Sequence, residues 1–118
     1  MGFTKAGIPT EIPIRMGFLV RDHDKGTQSS VVVTHFFRVP TTEEREEFAR
    51  LATKYRGRKV LLEQSAANQY LWQRCCSRVE GYDDLPTNGD WRTYFLEDET
   101  GIGQIHIDES INMLNRRL

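Results

Sequence analysis

The 118-residue sequence has no long apolar run, no excess of either charge and only two cysteines. Without about 20 consecutive apolar residues, the chain is not expected to cross a membrane. Residues 1–13 are interrupted by glycine, proline and charge, so we expect no secretory signal. A formal net charge of -1 gives no general attraction to nucleic acid or to an anionic membrane. We therefore expect one cytoplasmic domain, residues 1–118, with reduced thiols and with residues 1–10 loosely ordered.

The sequence also lacks any spacing that indicates a metal, cofactor or catalytic site. His23, His35 and His106 are scattered relative to the cysteines, whereas a zinc site needs about four ligands at regular spacing. The glycine-rich residues 101–106 have neither the third glycine of a dinucleotide fingerprint nor the lysine of a P-loop. No nucleophile, base and orienting acid form a recognisable set. We expect a protein that is not an enzyme and that holds no cofactor or metal.

The adjacent cysteines, Cys75 and Cys76, are best explained by packing. Neighbouring residues on a helix point about 100° apart, so an ordinary disulfide is not expected, and C-x-x-C spacing is missing. Together with Trp72 and Val79 they show i, i+3, i+4, i+7 spacing, which predicts one buried face of a helix over about residues 61–79. Each thiol then acts as a small apolar group. A reactive thiol is the alternative.

An alternating pattern near the N-terminus predicts a β-hairpin. The even positions between residues 11 and 21 are apolar, which is typical of a strand with one buried face: Ile12, Ile14, Met16, Phe18 and Val20. Pro13 places the start of this strand at a sheet edge. A second strand is predicted over residues 31–39, after a loop at residues 22–30. Both faces carry apolar groups, so we expect the hairpin to lie against helices, another strand or a second copy.

Helices are predicted in the rest of the chain. Thr41 and Glu44 form a capping box at the start of a helix over about residues 41–56. A last helix, about residues 108–118, aligns four apolar residues on one side: Ile107, Ile111, Leu114 and Leu118. Residues 91–96 are compatible with a short strand or a helical turn, and residues 98–105 with a loop. The fold class is α+β, an N-terminal antiparallel β-hairpin followed by about three helices.

Large aromatic side chains are the candidates for a protein interface, because such residues dominate interface anchors. The candidates are Phe36, Phe37, Trp72, Trp91, Tyr94 and Phe95. A small basic cluster at residues 56–59 does not offset the nearly neutral net charge, so nucleic acid is not the expected partner. We expect a protein partner, and a homo-oligomer fits the same pattern.

From about residue 43 to residue 118 the chain follows a further pattern. A helix containing FARLATKY precedes a basic turn, then LLEQ…YLWQRCCSRVEGY, an acidic DDLP…NG loop and a closing amphipathic helix. The step from Val79 through Gly81 to Tyr82 stands before the acidic loop. In this order the chain resembles the tail assembly chaperones of long-tailed bacteriophages. The resemblance implies a non-enzymatic protein that holds the helical tape-measure protein in the bacterial cytoplasm and helps recruit tail-tube subunits.

Two other functions stay open at the level of sequence. One is a structural phage-tail subunit that assembles through the edges of its hairpin. The other is a small host binding module with a ligand pocket near His35 and Cys75.

Overall fold

The computed structural model describes residues 11–22, 24–53, 60–86 and 89–118. Its elements in chain order are β1 (Ile12–Asp22), β2 (Thr27–Phe37), α1 (Thr42–Thr53), α2 (Val60–Cys75), β3 (Cys76–Glu80), α3 (Thr93–Leu96) and α4 (Ile102–Arg117). The predicted α+β class, an antiparallel hairpin followed by helices, is confirmed. No helix within those ranges is long and apolar enough to span a bilayer. The expectations for residues 1–10, for His23 and for the basic cluster at residues 56–59 lie outside the described residues.

The hairpin is longer than the sequence pattern predicted. β1 pairs with β2 from Ile12 opposite Phe37 to Asp22 opposite Thr27, so the predicted loop at residues 22–30 shrinks to a tight turn. Gly26 stands in that turn with φ 63°, a conformation that glycine adopts without strain. The missed residues 27–30 are polar and exposed on both faces, so they carried no hydrophobic alternation to detect.

A third strand corrects the predicted helix over residues 61–79. α2 ends at Cys75, and β3 continues directly from Cys76 to Glu80, antiparallel to β2. The sheet order is β1-β2-β3, which leaves β1 at an edge as Pro13 predicted. Two principles explain the correction. The edge of β2 that does not pair with β1 needs backbone hydrogen-bond partners, which β3 supplies. In addition, a strand of five residues is too short to display a clear period of two.

The helices cover one face of the sheet and form the core with it. Along β2, Val33, His35 and Phe37 are buried while their neighbours are not. The α4 residues Ile107, Ile111 and Leu114 are fully buried, as predicted, whereas Leu118 is 43% exposed. The central core side chains from the other elements are Ile14, Met16, Leu71, Trp72 and Phe95.

α4 begins at Ile102, six residues before the predicted start, and the segment before it contains the short helix α3. Residues 93–96 form a helical turn rather than a strand. Gly103 lies so close to α3 that a Cβ there would overlap the carbonyl oxygen of Phe95. Gly101, which precedes α4, has φ 80°. Because both glycines lower helix propensity, the sequence pattern indicated a loop, although the contact with α3 requires glycine at Gly103 and the positive φ favours it at Gly101.

The predicted capping box is present and is part of a larger polar contact. Thr41 Oγ1 accepts the Glu44 backbone N–H at 3.1 Å, and the Glu44 carboxylate accepts the Thr41 N–H at 2.9 Å. The same carboxylate accepts hydrogen bonds from both terminal nitrogens of Arg38, at 2.7 and 2.5 Å. Arg38 also donates to the carbonyl of Arg74 at 2.9 Å. These bonds join the end of β2 to the start of α1 and the end of α2.

Candidate binding cleft

A cleft of about 740 Å³ lies between the hairpin and the corner where α3 meets α4. The hairpin supplies one wall, made of four apolar side chains: Phe18, Val20, Val31 and Val33. The opposite wall comes from residues 81–84, α3 and the start of α4. Gly81 makes this arrangement accessible, because its φ is 96° and a Cβ would lie 2.6 Å from the Val32 carbonyl oxygen. The chain therefore leaves β3 sharply and carries Tyr82 over the inner face of the sheet.

Exposed apolar groups stand on both walls of the cleft. Val20 is 47% exposed because the hairpin extends beyond the helices that cover its base. On the other wall, Ile102 is 56% exposed at the first position of α4. Phe18 and Val31, which belong to the hairpin wall, are partly buried. Apolar walls around a concave space are the usual lining of a binding site.

Behind the cleft, a buried histidine is held in a single tautomer. Trp72 Nε1 donates to Nδ1 of His35 at 3.0 Å, so that ring nitrogen carries no hydrogen. Burial of the imidazole lowers the pKa of His35 to about 3, and the ring is therefore neutral near pH 7. The hydrogen of the neutral ring is on Nε2, which lies 2.7 Å from the hydroxyl oxygen of Tyr82. His35 thus donates to Tyr82.

Tyr82 extends this chain of hydrogen bonds to the cleft. Because its oxygen accepts from His35, its own hydrogen is free to go to Nδ1 of His106, 2.7 Å away. Burial raises the pKa of the Tyr82 phenol, which keeps that hydrogen in place. Burial also lowers the pKa of His106, against a smaller opposing effect of Asp98. The direction of donation runs from Trp72 in the core to His106 in the cleft wall.

Carboxylates surround the mouth of the cleft. Asp83, Asp84 and Asp98 line it, and no lysine or arginine occurs among the described residues that do. Asp84 accepts a hydrogen bond from the Tyr94 hydroxyl at 2.6 Å. Asp98 accepts from Thr100 and, at 3.0 Å, from the backbone N–H of Gly103. The hydrogen bond from the Thr100 hydroxyl, together with those from the backbone N–H groups of Gly103 and Thr100, lowers the pKa of Asp98. The mouth is therefore negatively charged near pH 7.

The predicted interface candidates are divided between the core and the surface. Phe37, Trp72 and Phe95 are 0%, 0% and 2% exposed, so in this fold they are core residues. Phe95 and Tyr94 line the cleft, Trp91 is partly buried against the Trp72 ring, and Phe36 lies on the outer sheet face. There the guanidinium of Arg78 is 3.6 Å from the Phe36 ring centroid. An interface role for the accessible candidates stays a prediction.

The cysteines are packed in the core, as the sequence indicated. Cys75 and Cys76 are each 1% exposed, and burial raises the pKa of both thiols to about 12. The Cys75 thiol faces Glu44, with its sulfur 3.8 Å from Oε1. Neither Cys75 nor His35 lines the cleft, although His35 contacts Tyr82 behind it. Within the described ranges, no three histidine, cysteine or acidic side chains are grouped as metal ligands.

Sequence reasoning missed the main residues of the cleft. Tyr82 and His106 are 24 residues apart, and no spacing rule connects them. The available signal was the apolar alternation that continues through Phe18 to Val20, because both side chains line the cleft. Gly81 was a second signal, since glycine after a strand often marks a sharp change of direction.

No protein-family model matches the chain, and neither does any curated protein or solved structure. The resemblance to tail assembly chaperones therefore stays a prediction, and the function of the cleft has to be inferred from its geometry.

Proposed function

We propose that this chain is a non-enzymatic binding protein whose cleft holds a segment of another protein. The observation that carries the proposal is the pair of exposed apolar groups, Val20 and Ile102, on opposite walls of the same concave space. Exposed apolar surface in a cleft is stabilised when a partner covers it, at roughly 25 cal/mol per Å² buried. An inserted side chain would contact both walls at once.

The polar groups in the cleft and directly behind it support binding more than chemistry. The Tyr82 hydroxyl is engaged on both sides by His35 and His106, and burial raises its pKa. A general base at neutral pH needs a pKa near 7, whereas burial lowers the pKa of His35 to about 3. These groups orient one another, and a rigid orientation favours recognition of a fixed shape.

Among protein partners, we propose the tape-measure protein that the chaperone resemblance implies. The buried residues of α2 and α4 pack in the core, whereas the cleft presents exposed apolar groups to such a partner. Ile105, 57% exposed and one turn along α4 from Ile102, extends the apolar surface out of the cleft. An amphipathic helix that places one apolar residue in the cleft and the next on Ile105 would use both.

Two valines provide a matched test. Val20 lines the cleft, whereas Val32 lies on the outer face of the same hairpin, and their exposures are 47% and 48%. The tagged chain is expressed with its genomic neighbours, and the proteins that co-purify are identified by mass spectrometry. Val20→Asp should reduce recovery of the tape-measure protein about tenfold or more, because a carboxylate enters an apolar contact. Val32→Asp should leave recovery unchanged. Equal effects of the two substitutions would contradict the proposal.

A second candidate, a self-assembling tail subunit, is favoured by the free edge of β1. Within the described residues no strand pairs with that edge, and Leu19 on it is 67% exposed. An open edge of this length is a template for a strand of another copy. Light scattering during size-exclusion chromatography tests the candidate. A ring-sized assembly that Leu19→Lys dissociates supports the subunit function, and a monomer at all concentrations contradicts it.

A further inference from the structure

Resting on the proposed binding function, we infer that the partner segment is basic and inserts a lysine or arginine together with its apolar residue. The charges around the cleft carry this inference. Asp83, Asp84 and Asp98 line it without a lysine or arginine among the described lining residues. The ion pairs of Glu11, Glu44, Glu47, Glu80 and Asp90 lie outside the lining of the cleft. A cationic group from outside would be the counter-charge that the cleft lacks.

The carboxylates and the rings suit the two parts of a long basic side chain. Asp84 is held by Tyr94 and Asp98 by Thr100, so the positions of both acceptors are fixed before a ligand arrives. Fixed acceptors bind a cation with a smaller loss of side-chain entropy. The aliphatic stem of lysine or arginine packs on apolar groups such as Phe18, while the charged end stays near water and carboxylates.

The same arrangement disfavours other occupants. An acidic or phosphorylated segment would meet like charges at the mouth of the cleft, which is destabilising. A small free cation would satisfy the carboxylates but leave the apolar wall at Val20 in water. A basic, amphipathic protein segment satisfies both parts, and the rings of Tyr82 and Tyr94 in the lining offer it a cation–π contact.

Synthetic peptides test the charge separately from the apolar contact. Three helical peptides of about 12 residues share the same leucines and differ only in a pair of positions that are lysine, glutamine or glutamate. Fluorescence anisotropy of labelled peptides gives the dissociation constants with the complete chain. The lysine peptide should bind about tenfold tighter than the glutamine peptide. Its affinity should fall as salt rises from about 50 to 300 mM, because exposed charges are screened. The glutamate peptide should not bind.

A pair of acidic residues supplies the control. Asp83 and Glu97 are both exposed, but only Asp83 lines the cleft. Asp83→Lys should weaken the lysine peptide about fivefold or more, Asp83→Asn should weaken it less, and Glu97→Lys should change affinity less than about twofold. Circular dichroism verifies that each variant is folded.

The outcomes separate the inference from the function on which it rests. Equal binding of the lysine and glutamine peptides, still lost in Val20→Asp, would overturn the basic partner and leave the binding function in place. Equal loss in Asp83→Lys and Glu97→Lys would overturn the assignment of the charge to the cleft. If no peptide binds and Val20→Asp does not reduce the recovery of the tape-measure protein, both the inference and the proposed function are wrong.

Discussion

The ring of Phe18 lies flat against the imidazole of His106, with centroids 4.2 Å apart and 3° between the planes. Phe18 belongs to β1 and His106 to α4, so this contact ties the free half of the hairpin to the helices. It also fixes the ring whose Nδ1 accepts the Tyr82 hydroxyl. The shape of the cleft wall and the hydrogen bonds behind it therefore depend on one another.

Tyr82→Phe tests that dependence. The substitution leaves the buried N–H of His35 without an acceptor, and an unsatisfied buried group costs about 1–3 kcal/mol. Tyr94→Phe is the matched control, because its hydroxyl bonds to the exposed Asp84 and the cost should stay below about 1 kcal/mol. Urea denaturation of the three proteins gives the free energies of unfolding. Similar losses for the two variants would contradict the role assigned to Tyr82.

Mild acid should destabilise the fold through His35 and His106. Burial lowers the pKa of His35 from 6.5 to about 3 and that of His106 in the same direction. Below pH 6.5 the unfolded chain then binds more protons than the folded one. The contribution of His35 to the free energy of unfolding is therefore complete above pH 6.5 and is lost as the pH falls towards about 3. His35 contributes a loss of up to about 1.4 kcal/mol per pH unit. Asp98 faces His106 and partly opposes its shift.

Urea midpoints between about pH 7 and pH 5 measure this effect before the carboxylates contribute. In that range Glu44 stays ionised, because the Arg38 hydrogen bonds lower its pKa to about 2. A free energy of unfolding that does not change between about pH 7 and pH 5 would mean that His35 is accessible to protons in the folded state.

Much of this fold was accessible from sequence because it depends on local patterns. The alternation from Ile12 to Phe18 and the capping box at Thr41 each require only neighbouring residues, and both are present. β3 was missed because its five residues follow a helix directly and are specified by the edge of β2, which is remote in sequence.

The candidate site was largely inaccessible to the same reasoning. Tyr94 and Phe95 were singled out as aromatic residues, and both line the cleft. The direction of the hydrogen bonds from His35 to His106 depends on burial and on the Trp72 donor, which only the folded chain brings together. His35 itself lies in the core.

The Arg38–Glu44 pair should contribute more to stability than a surface pair. Glu44 is 7% exposed and accepts both arginine nitrogens as well as the Thr41 N–H. Glu44→Gln should therefore lower the free energy of unfolding by about 1–2 kcal/mol, a value that allows for the solvent exposure of Arg38. Glu47→Gln in α1 removes a surface pair and should cost about 0.5 kcal/mol or less. Equal losses in urea denaturation would contradict the distinction.

The close approach of α3 and α4 makes Gly103 intolerant of a side chain. A Cβ there would overlap the carbonyl of Phe95, and forcing atoms into a packed interior costs about 1–3 kcal/mol. Gly17→Ala is the control, since nothing lies within 4 Å of a Cβ at that position. Thermal denaturation should show a lower midpoint for Gly103→Ala and almost no change for Gly17→Ala. An unchanged midpoint for Gly103→Ala would mean that α4 can move away from α3.

The two thiols should be inert in the folded protein. The thiolate is the reactive form, and burial raises the pKa of Cys75 and Cys76 to about 12. A thiol reagent near pH 8 should therefore label neither cysteine faster than the chain unfolds, and about 6 M urea should release both. Replacing Cys75 with alanine and Cys76 with serine should lower stability by about 1–3 kcal/mol without changing the binding that depends on Val20. Rapid labelling of the folded protein, or loss of binding at unchanged stability, would support a functional, reactive thiol instead of a packing role.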